Sequence, residues 1–375
     1  MIYLDNAATT LQKPAAVYRA AERAMLTLAN PGRGGYPAAM AAAEEAFRCR
    51  ESAAALFGLE DPERVVFCQN ATHGLNIAIK ALTRSGDRVV ISGFEHNAVL
   101  RPLHILGARI RVAAAPPFDP AGAVEAFSRE LKQGAALAVV NHVSHVFGCI
   151  QPVEEIAALC RAQGVPLIVD ASQSAGSLPV RPTEWGAAFA AMPGHKGLYG
   201  PQGTGLLLCG RQPGDRPIRT LLEGGSGSSP RLREMPNHLP DRLEAGTLNM
   251  PGIAGLRAGL DFVRQTGPEV ILAHERKLIR LAAELLGKNP RLRVFAARDP
   301  AMQGGVLSFQ AADLDCETAA ERLADRGFSL RAGLHCAPLA HETAGTADRG
   351  TLRLSVSAFT REGHIRRLAK ALENL

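Results

Sequence analysis

The sequence has a single Trp and only 5% aromatic residues, and it contains no stretch of 18 apolar residues. The second absence excludes an ordinary membrane-spanning helix. No run of Lys and Arg with interleaved aromatics occurs either, so the formal charge of +6 is spread along the chain. Scattered positive charge serves solubility more often than it builds a nucleic-acid stripe, and no nucleic-acid partner is expected. The opening residues Met1-Ile2-Tyr3-Leu4-Asp5 lack the basic and apolar regions of a signal peptide. The seven cysteines, at 49, 68, 149, 160, 209, 316 and 336, form no C-x-x-C pair and follow no regular spacing. They resemble neither zinc ligands nor a secreted disulfide framework, so no metal and a reducing cytoplasm are expected.

What is present is a globular composition, 46% hydrophobic and 21% charged over 375 residues. That length suits one large domain or two ordinary ones. Between residues 60 and 210, short β-branched runs alternate with helical stretches. Strands are predicted at Arg64–Phe67, Arg88–Ile91, Ile110–Ala113, Ala136–Val140 and Val165–Val169, and helices at Thr72–Leu82, Asn97–Leu106 and Val153–Gln163. Continuous apolar strands between helices indicate a mostly parallel sheet covered on both faces. After Gly210 the character changes. Glu223–Pro230 is a loop, followed by helices at Pro251–Gln265 and Pro268–Leu286. Strands at Arg293–Phe295, Val306–Phe309, Leu330–Ala332 and Leu352–Ser355, with helices at Cys316–Arg326 and Arg361–Leu375, then form a smaller α+β unit.

Two segments carry the chemistry. Asp170 ends a predicted buried strand, where open α/β sheets place their ligands. Lys196 follows between Gly194 and Gly197, residues that let a backbone approach a ligand closely. The Gly spacing is wrong for a Walker A loop, and Gly225–Pro230 fails the dinucleotide fingerprint because Pro230 replaces its last Gly. An Asp at a strand end with a Gly-flanked Lys downstream suggests pyridoxal phosphate. Lys would form a Schiff base with the aldehyde while Asp keeps the pyridine nitrogen protonated.

The wider pattern resembles the class V aminotransferase family of pyridoxal-phosphate enzymes, and within it the cysteine desulfurases and selenocysteine lyases. It is carried in order by Tyr3–Thr10, Ala71–Asn76, Glu95–Ala98, Asp170–Gln173, Gly194–Lys196, Glu244–Thr247, Arg331–Pro338 and Arg353. The resemblance implies the fold type I architecture, with a large sheet domain over 12–255. A small domain would comprise 1–11 and 256–375 and carry the Cys336 loop. It implies that Ala71 and Thr72 open a helix onto the cofactor phosphate, an anion site that helix N-termini provide. His195 would also hold the phosphate, while Asp170, Gln173 and His145 would bond the ring. His96 would stack on the ring and move protons, and Lys196 would be the Schiff-base lysine. Ala7, Ala8, Arg331 and Arg353 would bind substrate, with Arg353 clamping the carboxylate through its planar fork. Thr247 would reach the phosphate of a neighbouring subunit, implying a homodimer. Cys336 would be the sulfur-accepting nucleophile, its thiolate favoured by Arg331 and His335, while the other six cysteines are expected in the core.

The implied activity is conversion of L-cysteine to L-alanine with a persulfide on Cys336. The sulfur would pass to an acceptor protein, as in iron–sulfur cluster assembly. Alternatives within the resemblance are a selenocysteine lyase acting on L-selenocysteine, or a β-lyase, aminotransferase or epimerase that does not use Cys336. Two positions depart from the family. Pro193 stands where Ser or Thr commonly bonds the phosphate, and His145 stands where Asn usually bonds the phenolic oxygen. Pro offers neither hydroxyl nor N–H, so weakened but retained cofactor binding is expected.

Overall fold

The computed structural model describes residues 1–32, 34–210 and 218–373. Strand β1 (Ile2–Tyr3) opens the chain. Seven strands then build a large sheet: β2 (Val65–Cys68), β3 (Arg88–Ser92), β4 (Arg109–Ala113), β5 (Leu137–Asn141), β6 (Leu167–Asp170), β7 (Phe189–Pro193) and β8 (Gly205–Cys209). Their order is β2-β8-β7-β6-β5-β3-β4. All pairs are parallel except those of β8, which runs antiparallel to both β2 and β7. Apart from the edge strand β4, the strands are buried along almost their whole length, as expected for a sheet with helices on both faces.

Several boundaries move for local reasons. β6 begins at Leu167, after Pro166, which has no N–H to give a ladder. The helix expected from Thr72 begins at Ala71, because Asn70 is its cap. The strand expected at Leu330–Ala332 lies at Arg331–Gly333. Helix Pro268–Leu286 falls where its apolar stripe places it, and loop Glu223–Pro230 has no helix or strand. The terminal helix spans Glu362–Glu373, and the last two residues of its expected range lie outside the described residues.

A second, four-stranded antiparallel sheet is formed by β9 (Leu292–Phe295), β10 (Val306–Ala311), β12 (Arg331–Gly333) and β13 (Thr351–Ser355), in the order β12-β13-β10-β9. β11 (Phe328–Ser329) pairs in parallel with β1. The N-terminal segment therefore packs against strands more than 300 residues later: Asp5 bridges Ser355, and Asn6 donates its side-chain N–H to the Ser355 carbonyl at 2.9 Å. Ile2 and Leu4 are buried in the same apolar cluster as Leu307, Phe309 and Leu354. Among the described residues no helix is long and apolar enough to cross a membrane, and no group of His, Cys, Asp and Glu could hold a metal ion.

Candidate active site

A cavity of about 290 Å³ opens at the C-terminal ends of β5, β6 and β7, which contribute Asn141, Asp170 and Pro193 to its wall. The N-terminal segment supplies Ala7 and Ala8, and the small sheet supplies Arg331 and Arg353. The cavity thus lies between the two sheets, where the crevice rule for open α/β sheets expects a ligand. Twelve sequence-selected residues line it: Ala7, Ala8, Ala71, Thr72, His96, His145, Asp170, Gln173, His195, Lys196, Arg331 and Arg353.

Lys196 sits in the loop after β7. Thr10 pins that loop, donating its N–H to the His195 carbonyl at 3.0 Å and its hydroxyl to the Lys196 carbonyl at 3.0 Å. The flanking glycines have a different reason from the one expected. A Cβ at Gly194 would strike the Thr204 side chain, and one at Gly197 the Ala175 carbonyl, so they admit protein rather than ligand. Burial pushes the Lys196 ammonium down to about 8, Arg353 and Arg331 push the same way, and Asp170 opposes them. Asp170 is buried, with Oδ1 accepting the Ser172 N–H at 2.9 Å and the Ser172 hydroxyl as well. That turn fixes the carboxylate's direction.

Helix Ala71–Leu82 starts at the cavity. Asn70 is its cap, with Oδ1 accepting the His73 N–H at 2.9 Å. Thr72 is therefore not the cap but the second helical residue, and the first-turn amides of Ala71 and Thr72 have no intrahelical acceptor. His195 meets the Thr9 hydroxyl through Nδ1 at 3.1 Å, and burial lowers it to about 4. Gln173 donates to the Ala7 carbonyl at 2.9 Å.

His96 caps helix Asn97–Ile105, its Nδ1 accepting the Ala98 N–H at 2.9 Å. Nδ1 therefore has no proton, and the neutral ring carries its N–H on Nε2. Burial lowers His96 to about 4, Lys196 and Arg331 add to this, and Asp170 acts against it. At neutral pH this histidine has an N–H to donate in a hydrogen bond and no charge. His145 stands edge-on to it, ring centroids 5.0 Å apart. The His145 ring is buried, and its Nε2 lies 3.0 Å from the His335 carbonyl.

Arg353 is 1% exposed, so it is no surface arginine. Nη2 pairs with Asp5 at 2.7 Å, Nη1 donates to the His145 carbonyl at 2.9 Å, and Nε has no partner among the described residues. Its fork is thus held by protein groups rather than wholly open.

The six cysteines expected in the core are buried, and Cys336 is exposed. Arg331 Nη2 lies 3.5 Å from its Sγ. His335 gives no cationic help: burial, with Arg353 next, lowers it to about 2, and the neutral ring faces Thr351 instead. Thr247 is exposed and lies outside the cavity, in a depression with Gly225, Arg50 and Glu244.

Three contributors carried no assigned role from sequence. Asn70 announces itself as an Asx residue before a helix. Asp5 lies within the quoted N-terminal motif. Glu95, beside His96, is fully buried; Oε1 accepts the Ser92 hydroxyl at 2.5 Å and the Asn141 N–H at 2.8 Å. Burial raises Glu95 to about 8, so at neutral pH it is an acid bracing the end of β5.

The sequence profile described as "Aminotransferase class-V" matches residues 2–368. A probable cysteine desulfurase of Methanothermobacter thermautotrophicus is 32% identical over 386 residues, covering all of this chain and 94% of that protein. The solved apo structure of a cysteine desulfurase from Thermococcus onnurineus NA1 superposes with a TM-score of 0.91 at 29% identity, covering 100% of this chain and 94% of that one. A cysteine desulfurase structure from Escherichia coli gives 0.84 at 26% identity, covering 99% and 94%.

Proposed function

The chain belongs to the class V aminotransferase family, and from that membership we propose that it is a pyridoxal-phosphate-dependent cysteine desulfurase, taking L-cysteine to L-alanine and holding the sulfur on Cys336. The donor set of the cavity fits the cofactor. The open amides of Ala71 and Thr72 and the ring of His195 suit a phosphate. The oriented Asp170 carboxylate suits a protonated pyridine nitrogen, and an amine of pKa about 8 at Lys196 suits an aldehyde. Pro193 adds no hydroxyl to the phosphate end. When bound, the cofactor supplies a carbonyl for the substrate amine and an electron-accepting ring for the charge left at the α-carbon.

The protein's own residues do the rest. Arg353, with Arg331 nearby, draws the substrate carboxylate into the cavity. Once free of other bonds, Lys196 is basic enough to take the α-proton, and its burial leaves a far larger uncharged fraction near neutrality than a lysine in water has. His96 offers its Nε2–H as a hydrogen-bond donor from the wall. At the mouth, the Cys336 thiolate forms an S–S bond to the substrate sulfur as the Cβ–S bond breaks. The electron pair of that bond stays with carbon, and protonation at Cβ together with return of the α-proton from Lys196 yields alanine. Arg331 is the cation beside the attacking sulfur.

The observation that carries this is the exposed thiol of Cys336, 3.5 Å from Arg331, which with His335 lines the cavity that holds Lys196 and Asp170, although Cys336 itself does not line it. The exposed position of Thr247, outside its own cavity, supports a homodimer in which it completes the neighbouring site. The exposure of Cys336 supports delivery of its sulfur to an acceptor protein. Incubation of cofactor-loaded protein with L-cysteine should give alanine and a mass gain of one sulfur atom on Cys336. Pyruvate and ammonia without that mass gain would refute the assignment in favour of elimination.

A further inference from the structure

His335 and Cys336 are consecutive non-glycine residues in the left-handed region, with φ of +50° and +60°. Such a turn is costly and persists only where its surroundings hold it. The Cys336 carbonyl accepts the Asn97 N–H at 2.9 Å, and the Leu334 carbonyl accepts the Ala337 N–H at 2.9 Å. The His335 ring is anchored on Thr351, with Nε2 3.0 Å from its hydroxyl. Two side chains of the cavity wall also reach the turn: Arg331 lies 3.5 Å from Cys336 Sγ, and the His145 ring lies 3.0 Å from the His335 carbonyl and so holds the backbone itself.

A carbonyl oxygen only accepts, so the proton on His145 sits on Nε2. Burial, together with His96, Arg353, Lys196 and His335 around the ring, disfavours a second proton, and Nδ1 keeps its lone pair. The ring's single N–H is therefore spent on His335 and is not available to a cofactor oxygen, the role that the resemblance implies for this position. The backbone of His145 is fixed in turn: Arg353 donates to its carbonyl, and Asp5 holds Arg353. An unbroken line of bonds thus runs from Asp5 through Arg353 and His145 to the turn that carries the thiol.

We propose that His145 is a positioning residue for sulfur transfer: its Nε2–H holds the left-handed His335–Cys336 turn and so presents Sγ to the substrate. The inference rests on Cys336 being the sulfur acceptor. An Asn here reaches about as far as Nδ1 and cannot span to the His335 carbonyl, whereas a Gln amide reaches about as far as Nε2.

The test compares cofactor-loaded wild type, His145→Asn and His145→Gln. Hydrogen–deuterium exchange of the peptide spanning Leu334–Pro338 reads the turn, and single-turnover persulfide formation reads the chemistry. Loss of one neutral hydrogen bond is expected to speed exchange and slow persulfide formation by up to about tenfold in His145→Asn. KM and the cofactor's visible absorption should stay close to wild type, and His145→Gln should recover both readouts. Wild-type exchange and rate in His145→Asn, with a shifted absorption spectrum, would overturn the proposal and return His145 to the cofactor. Slowing in both variants with unchanged exchange would overturn it too. Absence of a persulfide on wild-type Cys336 would instead fell the assigned activity, while the exchange comparison still judges the strut.

Discussion

Capture of pyridoxal phosphate by the apoprotein should follow the uncharged fraction of Lys196. Burial lowers this amine from the usual 10.5 to about 8, with Arg353 and Arg331 assisting and Asp170 opposing. A group at about 8 is roughly 9% neutral at pH 7, half neutral at pH 8 and about 90% neutral at pH 9. Uptake should therefore rise about fivefold from pH 7 to 8 and less than twofold from 8 to 9. A lysine titrating as in water would be about 0.03% neutral at pH 7 and gain about tenfold at each step. Rapid mixing of apoprotein with excess cofactor, followed by visible absorption, measures the rate. A free lysine analogue run in parallel removes the pH dependence of the reagent, and Lys196→Ala should show no uptake phase. A tenfold rise per unit through pH 9 would refute the argument that the cavity desolvates this amine. The same shift has a stability consequence with a definite sign. Between about pH 8 and 10.5 the unfolded chain binds the extra proton, so the apoprotein should gain stability as pH rises through that window.

Three further outcomes are expected. Arg353→Lys keeps the charge but loses the planar fork that engages Asp5 and the His145 carbonyl. One charge-assisted bond is worth about 1.5–3 kcal/mol, so KM for cysteine should rise about 10–150-fold, and steady-state kinetics with an unchanged KM would remove Arg353 from substrate binding. Pro193→Ser places a hydroxyl on the cavity wall and should tighten cofactor binding about tenfold or more in equilibrium dialysis, whereas an unchanged Kd would mean that the hydroxyl misses the phosphate. Glu244→Gln breaks a buried pair in which Arg50 donates at 2.9 and 2.7 Å and Phe67 adds its N–H at 2.6 Å. The orphaned Arg50 should cost about 3–5 kcal/mol in denaturant unfolding, and a loss under about 1 kcal/mol would contradict the pair's burial.

Which parts of this were legible from sequence follows from physical cues. β3 and β5 announce themselves as short β-branched apolar runs, and helix Pro268–Leu286 through its stripe and N-terminal Pro. β7, Phe-Ala-Ala-Met-Pro, does not, because its small side chains lack strand propensity and its burial comes from neighbours. Helix Pro37–Phe57 is rich in alanine, which blurs its apolar face, and helix Ala15–Thr27 buries only Val17 and Ala24, so neither offers a clear apolar stripe facing the core. For the cavity, residue types and order selected twelve lining positions, since each motif is contiguous. The partners of those residues were not legible. Nothing local says that Arg353 meets Asp5, that His145 meets the His335 carbonyl, or that His335 is neutral. Those facts arise from contacts between segments far apart in the chain.

The same remoteness sets a timetable during synthesis. Asp5 and Asn6 lean on Arg353 and Ser355, so the cavity is closed by segments made almost 350 residues apart. A ribosome that has completed all seven strands of the large sheet has still not released the groups that close the pocket. Until residue 355 emerges, the N-terminal segment waits without its partners. Cofactor loading therefore follows the synthesis of β13. A stalled or truncated chain that ends before β13 would keep a foldable large sheet yet fail to retain pyridoxal phosphate.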